Sequence, residues 1–219
     1  MTPSSHDTLI INEIFFSVQG ESTNIGRPCI FIRLTACDLR CAWCDTAYAF
    51  NEGTEKNVNT ILQKVKEYGC NLVEVTGGEP LLQENVHHLM RRLCDEGFEV
   101  MVETGGHHDI SRIDPRVKRV MDIKCPGSKM EKSNRWTNIE ALTARDEVKF
   151  VIADQTDYEW AKHVVLQYQL SKRCPILMTP VYGSLENRTL AEWILRDRLC
   201  VRFHLQMQKY IWDPTARGV

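Results

Sequence analysis

"CIFIRLTACDLRCAWCDT", Cys29 to Thr46, sets three cysteines within eight positions directly behind a short apolar run. The run from Cys29 to Leu34 reads as a β-strand, so Cys37, Cys41 and Cys44 fall in the loop leaving its carboxyl end, where β/α proteins carry their chemistry. Asp38, Arg40 and Asp45 make that loop polar. Thiolates are ligands for soft metal centres, and a closed zinc or iron site takes four protein ligands. An iron-sulfur cluster on three thiolates leaves one iron open to a ligand offering nitrogen and oxygen. Buried packing cysteines and a zinc site with a distant fourth ligand are the alternatives.

Outward from this block the pattern repeats: a short apolar run, a turn rich in Gly, Pro or charge, then helical spacing. Further strands are expected at 72–76, 98–103, 119–124, 147–152, 175–180 and 201–206, with lengths that suit burial on both faces. Apolar residues at helical spacing begin at Val58, at Leu82, at Ala161 and at Leu190. Strand followed by helix implies parallel neighbours joined by right-handed crossovers. About six such units are too few for a closed eight-unit barrel, so an α/β incomplete (β/α)6 partial barrel is expected, with its chemistry at the strand carboxyl ends. No linker or repeat divides residues 1–219, which read as a single domain.

A formal net charge of −2, with 43% hydrophobic and 26% charged residues, indicates neither disorder nor a polybasic surface for nucleic acid. The opening "MTPSSHDTLIINE" lacks a basic segment followed by an apolar core, and no run approaches a membrane span, so no membrane is expected and the cytoplasm is. Nine cysteines are an odd number. Cys29, Cys70, Cys94, Cys125, Cys174 and Cys200 sit mostly beside apolar residues and read as reduced, buried thiols rather than a disulfide framework.

"TGGEP", Thr76 to Pro80, follows the second expected strand. Without Cβ, Gly77 and Gly78 let backbone approach a ligand closely and take positive φ. C-x3-C-x2-C after one strand and this glycine turn after the next resemble the radical S-adenosylmethionine (SAM) enzymes. "IFFSVQGES" (Ile14 to Ser22) narrows the likeness to the 7-carboxy-7-deazaguanine synthase family, as do "DIKCPGS" (Asp122 to Ser128), "DEVKFVI" (Asp146 to Ile152), "MTPVYG" (Met178 to Gly183) and "LQMQKYIW" (Leu205 to Trp212).

The resemblance implies a radical SAM core, usually dimeric. It implies conversion of 6-carboxy-5,6,7,8-tetrahydropterin to 7-carboxy-7-deazaguanine with loss of ammonia, on the way to queuosine-type deazapurines. Its cofactors are a 4Fe-4S cluster, SAM and Mg2+. Cys37, Cys41 and Cys44 would hold the cluster. Trp43, Cys44, Asp45, Gly78, Asp122, Ile123 and Lys124 would lie against SAM, although many relatives carry a Ser-Pro-Lys-like sequence at the last three. Val18, Gln19 and Gly20 would read the pterin largely through backbone, with Thr76 nearby, and Arg33 would grip its carboxylate. Thr46 would ligate magnesium, against the alternative of a helix N-cap. Partners would be the pterin, an electron donor such as flavodoxin or ferredoxin, and a second copy in a homodimer.

Other features carry less. His107 and His108 could be metal ligands, but adjacent side chains generally diverge, so a solvated loop is expected. "KVKEYG" reads as a solvated helix end, and Trp160 and Trp193 as core or subunit interface. Gln208 stands where relatives often carry histidine, and the chain continues through "DPTARGV", which argues against substrate contact by the tail. Two rival functions remain: a radical SAM activase of a glycyl radical enzyme, and a zinc-binding structural or nucleic-acid-binding module. Against the latter stand the near-neutral charge and the lack of a second Cys-x2-Cys.

Overall fold

The computed structural model describes residues 7–219; the first six residues, on which part of the reading of the opening segment falls, lie outside it. Strands β1 (Thr8–Val18), β2 (Pro28–Leu34), β3 (Thr54–Asn57), β4 (Leu72–Gly77), β5 (Glu99–Thr104), β6 (Lys118–Asp122), β7 (Glu147–Ile152), β8 (Ile176–Pro180) and β9 (Arg202–Phe203) form one sheet. Its order is β3-β1-β2-β4-β5-β6-β7-β8-β9. All neighbours from β2 to β9 are parallel, whereas β1 runs antiparallel to both β2 and β3. The ends of the order do not pair, so the sheet is an open partial barrel, as the β/α reading expects.

Helices α1 (Val58–Glu67), α2 (Val86–Asp95), α4 (Gln155–Gln167) and α5 (Asn187–Asp197) follow the expected spacing. The alternation fails elsewhere: the β5–β6 connection has no α-helix, and the β6–β7 connection has only the one-turn α3 (Asn138–Ala141). Two strands escape the sequence reading. In β1 the register shifts between Ile11 and Glu13, which breaks the alternation that would have marked an 11-residue strand. In β3, "TEKN" is a polar, largely exposed edge with no apolar signal. The last expected strand shrinks to the two residues of β9.

Side chains alternate across each strand. Ile30, Ile32, Val73, Val75, Val100, Val102, Val148 and Phe150 face the helices in the main core, where Trp160 and Trp193 pack half-buried. The opposite face is covered as well, but it is not uniformly apolar. Its lower layer is apolar, formed by Cys29, Phe31, Leu72, Met101 and Val120. Two residues further along the same strands, Arg33, Glu74, Glu103 and Asp122 line a cavity, joined by Lys149 from β7. The nine cysteines are free, but only Cys29, Cys125 and Cys174 are buried outside the cysteine loop; Cys70 and Cys94 are half-buried and Cys200 is exposed.

A buried ion pair holds the underside of the sheet. Asp146 accepts from Arg119 Nη2 at 2.6 Å and Nε at 3.0 Å, and from the Arg119 and Thr143 backbone N–H groups at 2.9 and 2.7 Å. Burial raises its pKa, but these donors overcome that and hold it below 3.8. The stability so gained is present above the unfolded pKa and lost as pH falls through the depressed folded value. Asp146→Asn leaves Arg119 buried without a counter-charge and is expected to lower the unfolding free energy by about 3–5 kcal/mol. Urea denaturation at pH 7 measures the loss, and the difference from wild type should narrow below pH 3.8.

Candidate active site

The parallel register of β2 and β4 sets Leu34 level with Gly77, so the cysteine loop and the glycine turn leave adjacent strands side by side. Gly78 N–H donates to Leu34 O at 3.2 Å, and Glu79 N–H to Ala36 O at 2.8 Å. A Cβ on Gly78 would overlap the Ala36 carbonyl and stand 2.8 Å from Cys37 Cβ. Close approach therefore requires this glycine; neither Gly77 nor Gly78 is in the left-handed region expected for them. That conformation falls on Ala36, at φ +76°, where the chain turns out of β2 into the cysteine loop. An L-residue held there carries local strain, fixed by the Glu79 bond and by Ala36 N–H donating to Ala49 O at 2.9 Å.

Cys37, Cys41 and Cys44 line one cavity of ≈ 680 Å³. Burial pushes the Cys37 thiol up to about 11, with Glu79 and Asp38 adding to the rise against the Leu39 N–H, and burial likewise raises Cys41. Burial thus favours the protonated form of Cys37 and Cys41, and a bound cation would reverse that. Trp43, Asp45, Thr46, Gly78, Asp122 and Lys124 share the same lining. Ile123 does not: its side chain lies in the main core and its N–H donates to Lys149 O. Lys124 Nζ is 2.8 Å from Asp122 Oδ2, while Asp122 Oδ1 is buried with no hydrogen-bond partner. Thr46 stands at the N-cap position of the 3-10 turn Ala47–Phe50 but makes no side-chain cap bond; its Oγ1 is 3.8 Å from Cys44 Sγ.

Across the cavity lie Val18, Gln19, Gly20, Arg33 and Thr76. Arg33 Nε donates to Glu13 Oε1 at 2.8 Å, and Glu13 also accepts from Tyr48 OH at 2.9 Å, which aims the guanidinium. The Gln19 backbone is already engaged in part. Its N–H donates to Arg27 O and its C=O accepts from Gly26 N–H, both at 2.8 Å, so these groups close the β1–β2 turn. Its buried side chain instead donates to Glu74 Oε2 at 2.5 Å.

The charged floor was missed as a site in the sequence. Lys149 Nζ pairs with Glu103 and, at 2.8 Å, with Glu21. Burial would raise Glu21, but Lys149 and Gln206 hold it down at about 2. Burial and the charge of Glu103 push Glu74 up to about 8 against its Gln19 bond, and burial raises Glu103 itself. The floor thus offers an ammonium, an ionised carboxylate and a neutral carboxyl side by side. The signal was present as single charges in phase with the apolar inner residues of "LVEVT", "FEVMVE" and "EVKFVI".

The tail folds back onto the cavity. Gln208, Lys209, Asp213 and Val219 line the cavity. Met207 N–H donates to Gly20 O at 3.0 Å, and Lys209 Nζ lies 2.7 Å from Asp45 Oδ2. A Cβ on Gly20 would overlap Gln208 Oε1, so that glycine makes room for the tail.

Residues 31–165 match the model of the Radical SAM superfamily. The 7-carboxy-7-deazaguanine synthase of Chlorobaculum tepidum is 47% identical over 99% of this chain and 100% of its own. The chain belongs to the 7-carboxy-7-deazaguanine synthase family. The corresponding enzyme of Koribacter versatilis is 42% identical over 95% of this chain and 99% of its own. The crystal structure of QueE from Escherichia coli shares the fold, with TM-score 0.75 and 22% identity over 93% of this chain and 97% of that one. Membership brings a 4Fe-4S cluster and SAM as cofactors. The residues present fit them: three thiols on one wall, a Gly78 cradle that a Cβ would fill, and the orphaned Asp122 oxygen.

Gly78→Ala tests the close approach. The chain should fold, because the strands are untouched, yet the cysteine loop must shift. Iron per chain after anaerobic reconstitution should fall at least several-fold below wild type while the far-ultraviolet circular dichroism is unchanged.

Proposed function

We propose that this protein converts 6-carboxy-5,6,7,8-tetrahydropterin to 7-carboxy-7-deazaguanine with loss of ammonia, in queuosine-type biosynthesis. The observation that carries this reading is the single cavity that joins the three cysteines to Arg33, Thr76 and the Gln19–Glu74 pair, in a chain 47% identical to a synthase of that name. Neither the activase nor the zinc module accounts for a closed-in floor of charges under the cysteines. One sheet, with a main core on its helix side and a smaller apolar layer on the other, supports reading residues 1–219 as one catalytic unit. No helix among the described residues is long and apolar enough to cross a membrane. The reaction is placed in the cytoplasm.

Cys37, Cys41 and Cys44 would hold the cluster, which when bound supplies the electron that cleaves SAM to a 5'-deoxyadenosyl radical. Trp43, Cys44, Asp45, Gly78, Asp122, Lys124 and the backbone of Ile123 would orient SAM. Arg33, aimed by Glu13, would grip the substrate carboxylate in two places. Val18, Gln19, Gly20 and Thr76 would bound the pterin. Glu74, neutral below about pH 8, can donate a proton in hydrogen bonding while Glu21 accepts, so the floor can read an edge of mixed donors and acceptors. Thr46, free of capping duty, would offer one oxygen to a magnesium ion that keeps its waters. A flavodoxin or ferredoxin would serve as reductant, and a second copy as dimer partner.

Reconstituted enzyme incubated with carboxytetrahydropterin, SAM and a reductant should release 7-carboxy-7-deazaguanine and ammonia; absence of the product overturns the assignment. Arg33→Lys should keep the iron content and SAM cleavage but raise Kd for the carboxylated pterin more than for a decarboxylated analogue, since lysine loses the planar fork. Equal losses would show that Arg33 does not read the carboxylate. Thr46→Val keeps shape and removes the oxygen. It should retain the cluster and lose most of the stimulation that added Mg2+ gives wild type, measured as kcat/KM with and without the ion.

A further inference from the structure

His107 and His108 do not form the solvated loop expected of them. Both imidazoles turn to the same carboxylate: His107 Nε2 is 2.7 Å from Asp38 Oδ1 and His108 Nε2 is 3.0 Å from Asp38 Oδ2. Their rings lie 4.4 Å apart and tilted by 57°, and the ligand atoms of the three residues all fall within 4.8 Å of one another. Asp38 lies between Cys37 and Cys41, whereas the two histidines lie in the connection after β5, so the cluster joins two loops remote in sequence.

The protons do not balance for a plain hydrogen-bonded clamp of neutral imidazoles. If His107 Nε2 donates to Asp38, its Nδ1 is a bare lone pair. That Nδ1 is buried with no hydrogen-bond partner, and Glu79 Oε2 lies 3.7 Å from it. Glu79 is fixed there, accepting from Leu81 N–H at 3.0 Å, Thr104 Oγ1–H at 2.8 Å and Gly105 N–H at 2.8 Å. A lone pair facing a fixed carboxylate is repelled. A second ring proton relieves this, and so does a metal on Nε2: with the metal bound, the ring proton sits on Nδ1, and the carboxylate beyond it becomes the outer partner that metal-bound histidines ordinarily have.

The geometry points to a second metal site on Asp38, His107 and His108, distinct from the cysteine cluster and taking a zinc-class divalent ion. Two imidazole nitrogens and a carboxylate supply three of four tetrahedral positions, and the half-exposed side of His108 and Asp38 leaves the fourth to water. This donor set is too poor in oxygen for Mg2+ or Ca2+ and lacks the thiolates that copper(I) selects. An ion there pins the loop carrying the three cluster cysteines to the β5–β6 connection, which Glu79 already ties to the glycine turn. The inference stands on the side chains alone and does not depend on which substrate the enzyme takes.

The test uses the enzyme with its iron-sulfur cluster assembled. Equilibrium dialysis against buffered Zn2+, with zinc and iron counted per chain, should show one zinc beyond the cluster iron. His108→Gln, on the exposed side of the site, should weaken zinc binding at least about 30-fold, and His107→Gln with His108→Gln should abolish it, with iron per chain unchanged. The zinc absorption edge of wild type should show nitrogen and oxygen neighbours at about 2.0–2.1 Å. Equal zinc uptake by wild type and the double variant overturns the site, as does no uptake by wild type. Sulfur neighbours at about 2.3 Å would place the ion on cysteines and overturn it equally, whether or not the variants fold.

Discussion

The contact on which the site depends is the parallel pairing of Leu34 with Gly77 and the approach of backbone to backbone just beyond it. Two loops that must serve one ligand set leave neighbouring strands at the same level. With no Cβ at Gly78 they close until Glu79 N–H meets Ala36 O. Glu79 then carries the order outward, because its buried carboxylate caps Leu81 and holds Thr104 and Gly105 of the next strand end. Three consecutive strand ends are thus fixed by one glycine and one glutamate.

Below that rim the sheet separates its functions by layer. Phe31, Leu72, Met101 and Val120 fill the narrow end and exclude water. Immediately above them, Glu74, Glu103 and Lys149 sit where desolvation amplifies every charge, so neighbouring carboxyls diverge in affinity for a proton rather than titrating alike. A pocket built this way can present a donor and an acceptor from the same residue type.

How much was legible follows from the same physics. The cysteine loop and the glycine turn were readable because their spacing is rigid and each follows an unmistakable apolar strand. The partial barrel followed from strand and helix alternating. What failed was the part whose signal is long-range. β1 hides behind a register shift, and two crossovers without full helices were invisible because a loop has no periodicity. Glu74, Glu103 and Lys149 could have been found by strict two-residue phasing, since each occupies the inward position of its strand. The tail's place in the cavity could not, because it rests on contacts between Gly20 and Met207 and between Asp45 and Lys209, separated by most of the chain. His107 and His108 misled for the opposite reason: neighbours on an extended strand diverge, but these sit in a bent loop where both rings reach one carboxylate.

An unclosed barrel keeps two free margins, each a row of unpaired amides able to recruit a foreign strand. Here one margin is β3, four residues of "TEKN" with Glu55 and Lys56 at its centre, and the other is β9, two residues long. Neither is long or apolar enough to template a cross-molecule ladder. The molecule can therefore keep its mouth wide for two bulky ligands without becoming adhesive, and lengthening either margin with β-branched residues would trade that openness for aggregation.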